Sequence, residues 1–369
     1  MWLFSRRVEG GTTLKKLTRW SVPVLVLLLI GTLLTATASA RRTANIQACV
    51  LLPDTTTSTR YELFDKPYLT KAFNAAGVSS LVLNAQGSAQ TQRSQGDQCL
   101  TQGAKVILVD ALDSATGASI ENAAAAKGVK TIDYDRLVLN GKASYYVSFN
   151  NVKVGRAMGT GLVNALKKNG KYSKHPVIVE LNGGITDNNA TLFKQGYDSV
   201  LKPLYKRGVF KKGKSGDQWT DWSAQKGATI FEQMLAQNNN KIDGAIAAND
   251  NLAGAVIAQL KSHKLKPIPL TGQDATPTGV QYILAGWQSG TVYKAVKAEA
   301  AAAAKAATQI IKGQRVTGVN GKTNNKVRNV PSILLTPVWL TKANYKLLFK
   351  DGFLKRAQVC IGIYKKYCK

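Results

Sequence analysis

The stretch TIDYDRLVLN, residues 131–140, places an acid and a base side by side, Asp135 and Arg136, where the run beginning at Val129 ends. A carboxylate only accepts hydrogen bonds, whereas a guanidinium donates five from a rigid planar fork. Together they can grip a polar, uncharged molecule from one strand end. A local ion pair is the plainer account of the same two residues.

Similar groups follow other short apolar runs: Pro53-Asp54 and then Arg60-Tyr61, Asn182-Gly183-Gly184 followed by Asp187-Asn188-Asn189, Asp217-Gln218-Trp219, Asn249-Asp250-Asn251, and Gly272-Gln273-Asp274. Taken singly, many are explained as helix N-caps, where an Asx oxygen accepts an orphan backbone N–H. Trp219 could equally be core. As a set they say more: amides, carboxylates and guanidinium forks match neighbouring hydroxyls, and an indole face covers the apolar C–H side of a sugar ring. A site built this way also rejects ligands lacking a hydroxyl, because its own polar groups would be left unpaired.

Catalysis is the competing chemistry. Asp135, Asp187 and Asp274 could supply the opposed carboxylates that glycoside hydrolysis needs, but no feature marks one as a proton donor. The chain has no G-x-S-x-G, P-loop or H-E-x-x-H pattern. Only His175 and His263 are present and the cysteines lack zinc spacing, so neither a metal nor another cofactor is expected.

The elements that must position these groups alternate along the chain. From residue 46, the runs IQACVLL, SSLVLN, AKVILVD and VKTID are separated by helical patterns near 61–77, 90–102 and 116–127. Runs of about five apolar residues between helices indicate parallel strands covered on both faces. The pattern restarts after Asn150: a helix near 152–168, then HPVIVELN, GVFKKG, KIDGAIAAND and PIPLTG, with helices near 189–202, 223–238 and 251–263 between them. The alanine-rich stretch 294–313 reads as a helix ended by Gly313, residues 314–329 as a surface loop, PSILLTP as a strand, and KANYKLLFKDGF as a short amphipathic helix. The expected fold class is therefore α/β, with two doubly wound parallel-sheet lobes. Ligands of such sheets bind at the carboxyl ends of the strands, where the polar groups stand.

The net charge is +29. The bases are scattered, as in KKNGKYSKH and KRGVFKKGK, with no interleaved aromatic RNA motif or helix-turn-helix, so nucleic acid is not expected. Association with an anionic cell surface is. Residues 1–40 carry Arg6, Arg7, Lys15, Lys16 and Arg19 before VPVLVLLLIGTLL and TATASA, a secretory signal pattern with cleavage after Ala40; an uncleaved anchor helix is the alternative. Removing that segment takes away five bases and one acid and leaves +25. Export permits disulfides. Of the three pairings open to Cys49, Cys99, Cys360 and Cys368, we favour Cys49 with Cys99 and Cys360 with Cys368. The expected location is the periplasm or the cell surface.

The motifs YDRLV, SFNNVKVG, TDNNATLFKQG, GDQW, NNNKIDGAIAANDNLAG, TGQDA and TVYKA follow in this order. They resemble the D-xylose-binding proteins of bacterial ABC sugar importers, within the type I periplasmic binding proteins that include ribose and galactose receptors. The likeness runs from about residue 46 to 340. It implies two lobes joined by three crossovers near 148–150, 290–293 and 330–335, dividing the chain into 41–148 plus 293–332 and 149–292 plus 333–369. It also implies closure around one monosaccharide, D-xylose before glucose or another aldose, and delivery to an ABC permease by a monomeric, non-catalytic receptor. Position by position it puts Arg60, Asp135, Arg136, Asp187, Asn189, Trp219, Asn249, Asp274 and Lys294 in the sugar site. Tyr61 stands where relatives have tryptophan, and DTTTSTRY departs from their charged run. A sensor of the same fold feeding a membrane kinase is the alternative, and a sugar-active hydrolase a more distant one.

Overall fold

The computed structural model describes residues 45–368, so the expected signal segment lies outside the described residues. The first half runs β1 (Ala48–Leu52), α1 (Lys66–Ala75), β2 (Ser80–Asn84), α2 (Ala89–Thr101), β3 (Val106–Val109), α3 (Ser114–Ala126), β4 (Lys130–Tyr134) and β5 (Tyr145–Phe149). The second runs α4 (Asn151–Lys168), β6 (Val177–Asn182), α5 (Asn188–Lys206), β7 (Lys211–Trp219), α6 (Ala224–Gln237), β8 (Gly244–Ala247), α7 (Asp250–Ser262), α8 (Pro277–Ala285) and β9 (Thr291–Tyr293). Then follow α9 (Val296–Ile311), β10 (Gly321–Asn324), β11 (Asn329–Leu335), β12 (Val338–Leu340), α10 (Leu347–Lys350) and α11 (Arg356–Val359).

Seven strands form one sheet in the order β10-β11-β5-β4-β3-β1-β2, parallel except for β10 against β11. Side-chain alternation decides what covers each face. Ala48, Val50 and Leu52 of β1 pack with the alanines of α9 and with Leu69 and Phe73 of α1. Cys49 and Leu51 face Cys99 of α2 and Ile120 of α3. A strand apolar on both sides is thus buried on both sides. The Cys49–Cys99 disulfide crosses the second of these layers, and Cys360 is bonded to Cys368, the two favoured pairings.

The second sheet has the order β7-β6-β8, extended through a parallel bridge from Ala245 to Leu270. β9 pairs antiparallel with β12 and makes a parallel bridge to Gln273. The chain therefore changes sheets after β5, after β9 and between Leu335 and Val338. The fold is α/β, two doubly wound parallel sheets linked by three crossings.

Four local readings differ. PIPLTG contributes one bridge at Leu270 instead of a strand, since Pro267 and Pro269 have no N–H for a ladder. GVFKKG gives way to β7, a polar, largely exposed strand whose register against β6 shifts between Ile178 and Glu180. The expected loop 314–329 contains β10, which pairs along its whole length with β11. The helix expected near 61–77 opens with a π-turn at Tyr61–Asp65 before Pro67 starts the α-helix proper.

Candidate functional site

Strand ends and helix starts from both sheets meet in a buried cavity. From the first half come Arg60, Tyr61, Asp135 and Arg136. The second half contributes Asp187, Asn189, Asn249 and Asp274, with Lys294 just beyond β9. All nine were expected from the sequence.

Trp219 is the exception. It is half-buried within β7, packed against the core of the second half, and the indole in the cavity belongs to Trp222. The reason is geometric: Trp219 sits in the ladder opposite Asn182, whereas Trp222 stands in the turn before α6, where strand ends open toward the cavity. Trp222 Nε1 donates to Asp187 Oδ2 at 3.1 Å, and its ring lies edge-on to Phe193, another lining residue. Gly183 and Gly184 make this possible, because a Cβ on Gly183 would come within 2.3 Å of the indole. The sequence carried this signal in the glycine pair followed by a second tryptophan three residues after the first. Thr57, Ser58 and Phe193 were missed as lining residues, and Gln273, named beside Asp274 at its strand end, was not assigned to the site.

Arg60 holds the first half together. Its Nε and Nη2 take the two oxygens of Asp65 at 2.8 and 2.6 Å, Nη2 also reaches Glu299 at 2.9 Å, and Nη1 reaches Asp135 Oδ1 at 2.8 Å. Arg136 donates to Tyr61 Oη at 2.9 Å and to the carbonyl of Ala111 at 3.1 Å, and lies 3.3 Å from Asp187. The Tyr61 ring is placed between both guanidiniums, 5.6 and 5.7 Å from its centre. Cations on an aromatic face are held by its quadrupole.

Asp135 is the hub. Its Oδ1 accepts from Arg60 and from Lys294 Nζ at 3.1 Å, and its backbone carbonyl accepts from Ser148 Oγ at 2.7 Å and Asn189 Nδ2 at 2.9 Å. Its φ is 55° and that of Asp274 is 92°, left-handed values that non-glycine residues seldom adopt. Such positions persist where neighbours over-determine them and are common at binding sites. Burial alone would push the Asp135 carboxyl up; Arg60, Lys294 and Arg136 outweigh it and hold the group well below the usual carboxylate range. Asp187 and Asp274 respond in the opposite sense: burial raises both, against the lowering by Arg136 in one case and Lys294 in the other.

In the second half the same residues also cap helices. Asp187 accepts from the Asn189 N–H, and Asn249 from that of Leu252. Direct bonds join the halves: Asn249 and Asn251 each donate to the Thr57 carbonyl at 3.2 Å, and Ser58 Oγ donates to Asp274 at 3.2 Å. The free space left at the centre is about 20 Å³, room for roughly one water. One buried acceptor in the lining, Gln273 Oε1, has no partner. Three cationic and three carboxyl side chains line the cavity, so it favours neither sign of ligand charge. Among the described residues no group of three or more His, Cys, Asp or Glu could hold a metal ion, and no helix is long and apolar enough to cross a membrane.

Residues 49–315 match the periplasmic binding protein domain. The chain belongs to that family. Among curated members it is 34% identical to the D-xylose-binding periplasmic protein of Escherichia coli over 298 residues, covering 80% of this chain and 87% of the other. It is 33% identical to the multiple sugar-binding periplasmic receptor ChvE of Rhizobium radiobacter, over 79% and 86% of the two chains. Among solved members, an ABC transporter solute-binding protein from Clostridium phytofermentans with bound β-D-glucose superposes with a TM-score of 0.79 at 27% identity, covering 85% of this chain and 99% of that one. These relatives are solute-binding proteins, as expected for a receptor fold.

Proposed function

We propose that this protein is an exported, non-catalytic receptor that captures one aldose between its two halves and hands it to an ABC permease, with D-xylose the first candidate and glucose the second. The reading rests on one observation above the others: a charge-balanced cavity whose lining comes from both halves, with carboxylates, amides, an indole and the unpartnered Gln273 Oε1 converging on it. Neutral hydroxyls satisfy such groups without adding charge, and the Trp222 face covers the ring. The carboxyls act in recognition: Asp135 is fixed by Arg60 and Lys294 in its ionised form, which suits an acceptor and not a proton donor. The names of the xylose-binding and glucose-bound relatives point the same way.

The central space holds less than a sugar ring, so entry requires the bonds across the cleft, from Asn249 and Asn251 to Thr57, from Ser58 to Asp274 and from Arg136 to Asp187, to open by hinge motion and re-form around the ligand. Binding to the folded state alone adds about 2.7 kcal/mol of stability at a ligand concentration of 100 Kd. A melting-temperature screen against xylose, glucose, ribose, arabinose and galactose tests this. We expect a clear rise with xylose or glucose, and no rise with any aldose would overturn the reading.

A further inference from the structure

Outside the cavity, one segment combines features that the receptor reading leaves unused. Residues 360–368, CIGIYKKYC, are closed into a loop by the Cys360–Cys368 disulfide. Ile361 is 52% exposed and Ile363 is 73% exposed, the highest value among the exposed large apolar side chains of the described residues. Gly362 between them has φ 50°, a left-handed turn that glycine adopts freely. The base of the loop is anchored: Cys368 and Val359 are buried with Phe353 and Leu348, Gln281 of α8 donates to the Val359 carbonyl at 3.1 Å, and Arg356 donates to the Cys368 carbonyl at 2.8 Å. The two isoleucines are therefore displayed on a fastened support, not on a frayed strand of chain.

The surroundings are of one sign. Residues 352–369 contain five bases and no acid. Lys355, Arg356, Lys365 and Lys366 are exposed, and Lys342 and Lys346 line a shallow surface hollow together with Lys366 and Tyr367. The Tyr367 ring carries Lys342 and Lys366 at 5.9 and 5.1 Å. Aliphatic tips, tyrosines half-buried at their base and a surround of lysines are the side chains that partition into the boundary of a bilayer: the apolar part enters, the aromatic sits at the headgroups, and the cations meet anionic lipid.

We propose that the 360–368 loop is an interfacial anchor that docks the protein on anionic lipid bilayers. Charge complementarity commits the occupant to a lipid surface bearing negative headgroups. The shape fits too, since a projecting tip suits a yielding plane, whereas a protein partner would offer a pocket for it. None of these residues lines the cavity, so docking leaves the ligand site free.

The test is co-sedimentation of the purified full chain, disulfides intact, with vesicles of phosphatidylcholine alone or with about 30% phosphatidylglycerol. We expect binding to the anionic vesicles only, weakened tenfold or more by Ile361→Ser with Ile363→Ser, and also by Lys365→Glu with Lys366→Glu. Both pairs are exposed, and an unchanged melting temperature verifies folding. Equal binding by wild type and the isoleucine double variant would overturn the proposal, assigning attachment to the general positive charge or to the apolar run at 22–34. Binding to neither vesicle, or equally to both, would overturn it as well.

Discussion

The two halves of the cavity are built on different physics. In the first half, Arg60, Asp135 and Arg136 are charges taken out of water and held by other charges, with Asp65, Asp110 and Glu299 buried behind them. In the second, Asp187 and Asn249 are helix caps that accept backbone N–H groups, Asn189 is an amide that donates to the Asp135 carbonyl, and Trp222 is fixed by a single hydrogen bond. A buried ion cluster is costly to assemble and more costly to break, because removing one partner leaves uncompensated charge. A cap can be lost for about 1 kcal/mol. The contrast assigns the rigid reference surface to the first half and adjustable gripping groups to the second.

The sharpest way to break that contrast is Arg60→Met. It leaves Asp65, Asp135 and Glu299 facing one another without their shared cation, and we expect a loss of about 3–5 kcal/mol in denaturant unfolding. Asn249→Ala on the other side removes one cap bond and the bond to the Thr57 carbonyl and should cost about 1–2 kcal/mol. Equal costs for the two would refute the division. Next in size is Trp222→Ala, expected to weaken sugar binding by about 2 kcal/mol, some thirtyfold, by titration calorimetry. Trp219→Ala should leave affinity within about threefold while lowering stability, because its ring packs on core.

A separate effect concerns pH. Asp250, at the start of α7, is pushed up to about 7, first by burial and further by Asp274, against hydrogen bonds from Gln288, the Thr276 N–H and Thr291. Its unfolded value is about 3.9. A raised folded value means that the folded state holds the proton more tightly. The contribution is therefore complete below about pH 4 and is lost as pH rises through 7. Asp250→Asn should flatten the fall in stability between pH 5 and 8, and an unchanged slope would show that other groups set it.

What the sequence disclosed follows from where side chains take part in a regular pattern. β1 and β3 were legible because burial on both faces forces uninterrupted apolar runs, β4 because it continues the same strand–helix alternation, and the site residues because they stand where such strands stop. β7 and β10 were not, since an exposed edge strand needs only backbone partners and its side chains carry no hydrophobic period. The cavity indole was misplaced by three residues for a related reason: composition selects tryptophan, but only backbone direction after the strand decides which one turns inward. The pairing of Arg60 with Glu299, 239 residues apart, has no local trace at all.

Neither disulfide joins one sheet to the other: Cys49–Cys99 binds a strand to the helix on its own face, and Cys360–Cys368 closes a loop of nine. Covalent reinforcement is thereby kept inside each unit that it crosses, so the hinge motion proposed above proceeds with both bonds intact, and oxidation toughens the shells without welding them together.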